Sequence, residues 1–348
     1  MKVKGGTHGL QSGKSPPNKN QNSFKNGKPN VKKNEVAKKP NVKKNTGQNE
    51  LKTPFINNKD GNHPIGMPGL STNASASKIQ KPNVNKKPDV IIFNRVPKTG
   101  TRVFHELIWR LARDHHFNFT VSQTYVRFKV TKEELMQQIA ELQIKKRPFL
   151  FDRHIYFFKL PKSSNSKETV KYINIVRDPI DRCASWYYFI RFEQPREMPS
   201  ERRNRTFDSC LEQGLEECTN PYIAPYRCLQ IPFFCGHDEV CVTKSREALE
   251  KAKQNVDKEY AVVGLTEDTR SFFQVIQQKI PSFFGGVVDM YDEYGKESRQ
   301  RLSNPKHKLL SLQSTIRMED IMALEIEFYK YVRNLFYRRH KHLLTSKE

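Results

Sequence analysis

Apolar and polar positions along this chain fall into blocks that predict strands followed by helices. Val90–Phe93 is a continuous apolar run, as expected of a parallel strand covered on both faces. Phe104, Leu107, Ile108 and Leu111 then recur at i, i+3, i+4 and i+7, the stripe of an amphipathic helix. Residues 149–158 predict a second strand, 172–176 a third, and 260–264 a short fourth built on Ala261-Val262-Val263. After the third, Asp178 suits an N-cap, Pro179 the first helical position and Asp181 the first turn. Ile180, Cys183, Ala184 and Tyr187 form the inner face of that helix. Ile321, Leu324, Phe328 and Val332 predict a long amphipathic helix near the C-terminus. Strands alternating with helices predict an α/β fold, a mostly parallel sheet flanked by helices with right-handed crossovers. Ligands of such sheets bind at the C-terminal strand ends.

The pattern fails over residues 1–88, which hold few large apolar side chains and much Lys, Asn, Pro and Gly. Too little surface can be buried there to offset chain entropy, so the expectation is a disordered, low-complexity stalk, with the folded domain at 89–348. Short polar repeats recur in it, Lys28-Pro29-Asn30-Val31, Lys39-Pro40-Asn41-Val42 and Lys81-Pro82-Asn83-Val84. Charge follows the same boundary. Residues 1–88 carry 18 Lys+Arg against 3 Asp+Glu, a net +15, which leaves +9 of the total +24 for the remainder. Such a tail attracts polyanions without specificity.

No apolar run is long enough to span a bilayer, and no signal-peptide core follows Met1. Other features point to the secretory pathway. Asn73, Asn118 and Asn204 each open an N-x-[ST] triplet. Five of the six cysteines cluster between Cys210 and Cys241, which suggests disulfides and an oxidising compartment. Zinc is the rival, against which the cluster offers no C-x-x-C pair. Cys183, on an apolar helical face, reads as a buried thiol.

The candidate chemistry lies at two strand ends. Lys98-Thr99-Gly100-Thr101 follows the first strand and precedes a helix. A turn of this kind aims backbone N–H groups, a helix N-terminus and a cation at a phosphate or sulfate. Taken alone it is equally an ordinary connection with a solvated lysine, and it is not a Walker A loop. Arg177 ends the third strand, able to fork onto a phosphate or to pair with Asp178 or Asp181. Ser185 lies two helical turns further on, as a phosphate ligand or a small packing residue. His154 falls inside the second predicted strand; if it emerges beside Lys98 it is a candidate general base. His115 and His116 read as solvent-facing, and no cluster calls for a metal. Arg202, Arg203 and Arg205 form a basic loop, solvated or facing an acidic polysaccharide. Nothing marks a specific nucleic-acid site, as neither aromatic-interleaved basic motifs nor zinc-finger spacings occur. A nucleotide kinase is disfavoured by the missing Walker A.

In combination these segments resemble the glycosaminoglycan uronosyl 2-O-sulfotransferases, of heparan sulfate, uronyl and pipe type, over residues 89–340. The resemblance rests on Asn94-Arg95-Val96-Pro97-Lys98-Thr99, on Tyr172-Ile173-Asn174-Ile175-Val176-Arg177-Asp178-Pro179-Ile180-Asp181-Arg182 with Ser185-Trp186-Tyr187-Tyr188-Phe189, and on Ile231-Pro232-Phe233-Phe234-Cys235-Gly236-His237. It implies a P-loop-like sulfotransferase fold and the donor 3′-phosphoadenosine 5′-phosphosulfate (PAPS), with no metal. By resemblance, Lys98, Thr99, Gly100, Thr101 and Arg102 meet the 5′-phosphosulfate, and Arg177 and Ser185 the 3′-phosphate. Ser303 and Lys306, in a loop at 301–306, cover the nucleotide. His154 is the implied base for a uronic acid 2-hydroxyl, with Lys98 as its catalytic partner. Arg95, Trp109, Arg202, Arg203 and Arg301 fall at acceptor positions. Disulfides Cys210–Cys218 and Cys235–Cys241 are implied, with Cys183 and Cys228 unpaired. The resemblance further implies a glycosaminoglycan or glycoprotein glycan acceptor, a homotrimer, and a Golgi-lumenal type II membrane protein, although no anchor is visible. Two departures bear on the acceptor: Thr99-Gly100-Thr101-Arg102 is closer to the uronyl type, and Asp152 stands where the heparan type has a second His. The competing expectation is a non-catalytic polyanion-binding protein on a degenerate scaffold.

Overall fold

In the computed structural model, residues 88–122, 127–161, 168–193, 197–222, 228–302 and 310–345 are described, the side chains of 295–302 excepted. The expected stalk therefore lies outside the described residues, as do Asn73, Ser303 and Lys306. Five strands, β1 (Val90–Phe93), β2 (Asn118–Val121), β3 (Phe149–Asp152), β4 (Val170–Val176) and β5 (Tyr260–Leu265), form one sheet in the order β2-β3-β1-β4-β5. Every pairing is parallel. The helices are α1 (Arg102–Asp114), α2 (Lys132–Gln143), α3 (Pro179–Phe192), α4 (Ser200–Asn204), α5 (Phe207–Glu212), α6 (Glu216–Thr219) and α7 (Ile231–Cys235). They continue with α8 (Arg246–Glu259), α9 (Thr269–Lys279), α10 (Pro281–Phe284), α11 (Val287–Leu302), α12 (Leu312–Ile321) and α13 (Ala323–Thr345).

The strand order explains where a ligand can enter. From β1 the chain turns toward the β3 and β2 side, and from β4 it turns toward β5. The loops leaving β1 and β4 therefore part above neighbouring strands and leave a crevice, the switch point at which such sheets take ligands. Ile92 pairs with Tyr172. Continuing that register sets Arg177 level with Pro97.

The sheet is buried because β1 and β3 are apolar on both faces, and Val90, Ile91, Ile92 and Phe93 are all at 0% exposure. Phe104 of α1 meets Phe93, Phe272, Phe273 and Phe284 at ring separations of 5.2–5.8 Å. Gly264 in β5 lets Phe272 lie against the strand, since a Cβ there would come within 2.3 Å of the ring. A second apolar cluster joins α3 to α5, α6 and α12 through Trp186, Tyr187, Tyr188, Phe207, Leu211, Met318 and Met322.

Several expectations change. The second strand ends at Asp152 rather than 158: Arg153 N–H still donates to Phe93 O and Arg95 N–H to Arg153 O, beyond which the chain leaves the sheet and Tyr156 N–H donates to Phe128 O at 3.0 Å. The C-terminal pattern is two helices. Ile321 closes α12, a buried Met322 caps it by donating to Met318 O and Asp320 O, and Leu324, Phe328 and Val332 belong to α13. Cys183 and Cys228 are not unpaired but form a disulfide, since the segment at 228 packs against the inner face of α3. The Cys210–Cys218 and Cys235–Cys241 disulfides are present as expected. His115 is half-buried and bonds Gly285 O at 2.8 Å, so only His116 is exposed.

Candidate active site

The turn after β1 has a backbone shaped for an anion. Lys98 has φ 66° and Gly100 φ 68°, two left-handed residues in a tight turn before α1 begins at Arg102, the kind of backbone that can set N–H groups around an anion. Thr99 is buried and its hydroxyl donates to Val96 O at 2.9 Å, while Thr266 donates from β5's end to Thr99 O at 2.8 Å. A frame of buried amides holds the strand end below. Asn174 Nδ2 donates to Asn94 O at 2.9 Å, Asn94 Nδ2 to Phe233 O at 2.7 Å, and Tyr260 to Asn94 Oδ1 at 2.8 Å.

The cations of this turn meet one carboxylate that sequence reading missed. Glu193, at the C-cap of α3, lies 2.7 Å from Arg102 Nη2 and 3.7 Å from Lys98 Nζ, and Lys98 also sits 4.3 Å over the Phe189 ring. Burial, opposed by Glu193 and reinforced by the Arg102 and Arg177 charges, lowers the Lys98 ammonium to about 8. Arg177 reaches the same turn across the crevice. Its Nη1 donates to Lys98 O at 3.5 Å, and its Nη2 lies 3.8 Å from Asp181, so the ion pair weighed from the sequence is long. Ser185 is half-buried on α3.

His154 emerges two residues past β3, beside Arg95, which precedes Lys98 by three residues. Its Nδ1 bonds Arg95 O at 2.8 Å. A carbonyl only accepts, so Nδ1 carries the proton and the imidazole lone pair is on Nε2. Burial first, then the Arg95 charge, lowers its pKa to about 3, which keeps it neutral. Arg95 is itself held by Asp152, at 2.9 Å from its Nε. The second carboxylate oxygen of Asp152 bonds His105 Nδ1 at 2.7 Å, and Trp109 Nε1 donates to His105 Nε2 at 3.3 Å. Asp152, His105, Arg95 and His154 are thus linked contact by contact. Trp109 is 55% exposed, its ring 4.8 Å from Phe119. His105 lies 47 residues from its partner Asp152, so no local sequence pattern flagged it.

Other predicted residues are placed differently. Arg202, on α4, donates from Nε to Glu217 at 2.8 Å, a carboxylate that also pairs Arg191 and Arg205. That arrangement ties α3, α4 and α6 together. Arg203 is exposed on α4, and Arg301 falls in the last turn of α11. Asn118 is exposed at the start of edge strand β2, with its amide on Lys146 O at 3.0 Å, and Asn204 is exposed at the end of α4. Among the described residues no helix is long and apolar enough to cross a membrane, and no group of three His, Cys, Asp or Glu could hold a metal ion.

Comparison with known proteins accords with this geometry. The family described as sulfotransferase domain matches residues 87–222, which hold the β1 turn, His154 and the β4 strand end. Heparan sulfate 2-O-sulfotransferase 1 of Cricetulus griseus is 33% identical over 270 residues, 74% of this chain and 74% of that protein. The human protein of the same name is 32% identical over the same length. Uronyl 2-sulfotransferase of Mus musculus is 30% identical over 271 residues, 75% of this chain and 64% of that one. A shared sulfotransferase domain and this identity across three-quarters of the chain mean that the protein belongs to the glycosaminoglycan uronosyl 2-O-sulfotransferase family.

Proposed function

We propose that the chain transfers the sulfuryl group of PAPS to the 2-hydroxyl of a uronic acid in a glycosaminoglycan or related glycan, with His154 as general base. The observation that carries this reading is the meeting of three strand ends: Lys98 after β1, His154 after β3 and Arg177 after β4. The residues present suit the donor. Two left-handed residues shape the turn, and three cations, Lys98, Arg102 and Arg177, are balanced by Glu193 and Asp181 at partly exposed positions. When bound, PAPS supplies an activated sulfuryl group on a phosphate leaving group.

This chain's residues do the rest. Arg177 and Ser185 hold the 3′-phosphate; Thr99, Gly100, Thr101 and Arg102 hold the 5′ end. Trp109, Arg95, Arg202, Arg203 and Arg301 serve the acceptor. His154 Nε2 takes the 2-hydroxyl proton as that oxygen bonds to sulfur. Lys98 stabilises the negative charge left on the phosphate oxygen when its bond to sulfur breaks. In-line positioning and charge stabilisation, without a covalent enzyme intermediate, are what such a transfer needs.

The test is sulfate transfer from labelled PAPS to desulfated heparin, heparosan, dermatan, chondroitin and a glycoprotein extract. The expected result is label on one acceptor class, reduced by at least about 10²-fold in His154→Ala, with PAP still bound. Undiminished transfer by His154→Ala would remove His154 as the base, and a chain that binds polyanions but not PAP would be the degenerate scaffold.

A further inference from the structure

The donor loops rest on a set of buried polar groups that the transfer reaction does not use. Glu325, in the first turn of α13, is 1% exposed. Its Oε2 accepts the Gln230 N–H at 2.8 Å and its Oε1 the Ile231 N–H at 3.0 Å. The Gln230 side chain, at 0% exposure, closes on a single residue: Oε1 accepts the Arg177 N–H at 3.0 Å, and Nε2 donates to Arg177 O at 2.8 Å. Both peptide groups of Arg177 are thereby fixed just where β4 has ended and no strand is left to pair with them.

A second path runs in parallel, one helical turn along α13. Tyr329 donates to Glu267 Oε2 at 3.0 Å, and Glu267 Oε1 accepts the Asp178 N–H at 2.8 Å. Arg182 completes the set. It is at 0% exposure, donates from Nε to Pro97 O at 2.9 Å beside Lys98, and feels Glu325 as its largest opposing charge. Burying a carboxylate and a guanidinium is costly unless geometry recovers it.

We propose that α13 is a splint for Arg177, with Gln230, held by Glu325, as the positioning residue that aims the Arg177 guanidinium at the 3′-phosphate of the donor. This rests on the donor reading above. Gln230 touches no nucleotide; it acts through the Arg177 backbone, so its loss removes discrimination for the 3′-phosphate and spares recognition of the 5′ end. The two requirements are separable at Gln230, because the 5′-phosphate turn has its own supports in Thr266 and the Asn94–Asn174 frame and its one link to Arg177, Nη1 to Lys98 O, is long at 3.5 Å; Glu325 also faces Arg182 beneath Pro97 and so touches both.

The experiment titrates the full chain with 3′-phosphoadenosine 5′-phosphate and with adenosine 5′-phosphate, in wild type, Gln230→Met and Glu325→Gln. Wild type is expected to prefer the bisphosphate by about tenfold or more. Gln230→Met should lose most of that preference, through weaker bisphosphate binding with the monophosphate changed by less than about twofold. Glu325→Gln, whose amide oxygen still accepts one N–H, should lie between. If wild type shows no preference, the donor assignment itself fails. If wild type prefers the bisphosphate and both variants keep the full preference, the splint is wrong. Equal losses for the two nucleotides would mean general destabilisation and also overturn it. Should Gln230→Met not fold, Glu325→Gln decides by the same ratio.

Discussion

His154 presents the sharpest conflict of demands in this site. A general base works in its deprotonated form, and burial with the Arg95 charge beside it holds the imidazole neutral down to about pH 3. A group so reluctant to gain a proton is a weak base. In the proposed reaction an anionic uronate entering beside Arg95 would offset that positive charge and raise the His154 pKa. The sign follows: kcat/KM, which reports the free enzyme, should stay flat from about pH 7 down to about 5, whereas the acid limb of kcat should appear at higher pH. Coincident acid limbs in the two profiles would remove the substrate-linked shift. Lys98 sets the other side. Burial and its neighbouring cations lower it to about 8, so affinity for PAP should weaken as the pH rises through 8 and the ammonium is lost. In the proposed donor site Glu193, paired with Lys98 and Arg102, would compete with the donor for both. Glu193→Gln at pH 6.5 should therefore tighten PAP by about two- to fivefold, the range for a partly exposed ion pair; a weaker PAP complex would show that Glu193 organises the cations instead. Lys98 and Arg177 were legible because each lies at the end of a strand and before a helix, Lys98 in the turn after β1 and Arg177 directly after β4. Glu193 and His105 were not, since their partners are 91 and 47 residues away and only the fold brings them close.

At the scale of elements, what the sequence showed and what it hid have one physical origin. β1, β3 and β4 are central and mostly buried, so they appear as largely apolar runs, broken in β4 by Lys171 and Asn174, and α1 shows its buried stripe. β2 is an edge strand whose residues Asn118 to Val121 are exposed or half-exposed, and it left no such run. The helix break at Met322 was hidden because the apolar spacing passes through it without a proline or glycine. The Cys183–Cys228 disulfide was hidden for a related reason. Its members are 45 residues apart, and only the packing of α3 against the segment at 228 makes them neighbours. That separation makes it the bridge with most to lose. In the chain-entropy account a loop of this length is worth roughly 4 kcal/mol, against roughly 2 kcal/mol for the short Cys235–Cys241 loop. The double change Cys183→Ala with Cys228→Ala should lower the unfolding free energy by more than removal of Cys235–Cys241 does, as denaturant unfolding of the two variants would measure. An equal loss would mean that native packing rather than loop length governs both.

The whole molecule divides its charge in a way the folded site does not require. Residues 1–88 carry a net +15 and residues 89–348 only +9. Cations of the second group that flank the donor turn are partly balanced by Glu193 and Asp181, and those near α4 by Glu217. In a segment of lysines spaced by Asn, Pro and Gly, with few large apolar side chains, the expected contribution to a polyanion is charge, over a Debye length of about 8 Å at physiological ionic strength. Such a segment raises the local concentration of a polyanionic chain without contributing to its chemistry. Deleting residues 1–87 should therefore lower the salt needed to elute the protein from immobilised heparin. It should also raise KM for a long polysaccharide at low ionic strength, an effect that fades as salt is added. The kcat for a short acceptor oligosaccharide, too small to reach beyond the site, should stay within about twofold, because Lys98, His154 and Arg177 all lie in the part retained. Side-by-side kinetics on long and short acceptors at two salt concentrations make the comparison. A fall in kcat on the short acceptor would assign the basic segment a place in the site itself, and its separation from the catalytic domain would then be wrong.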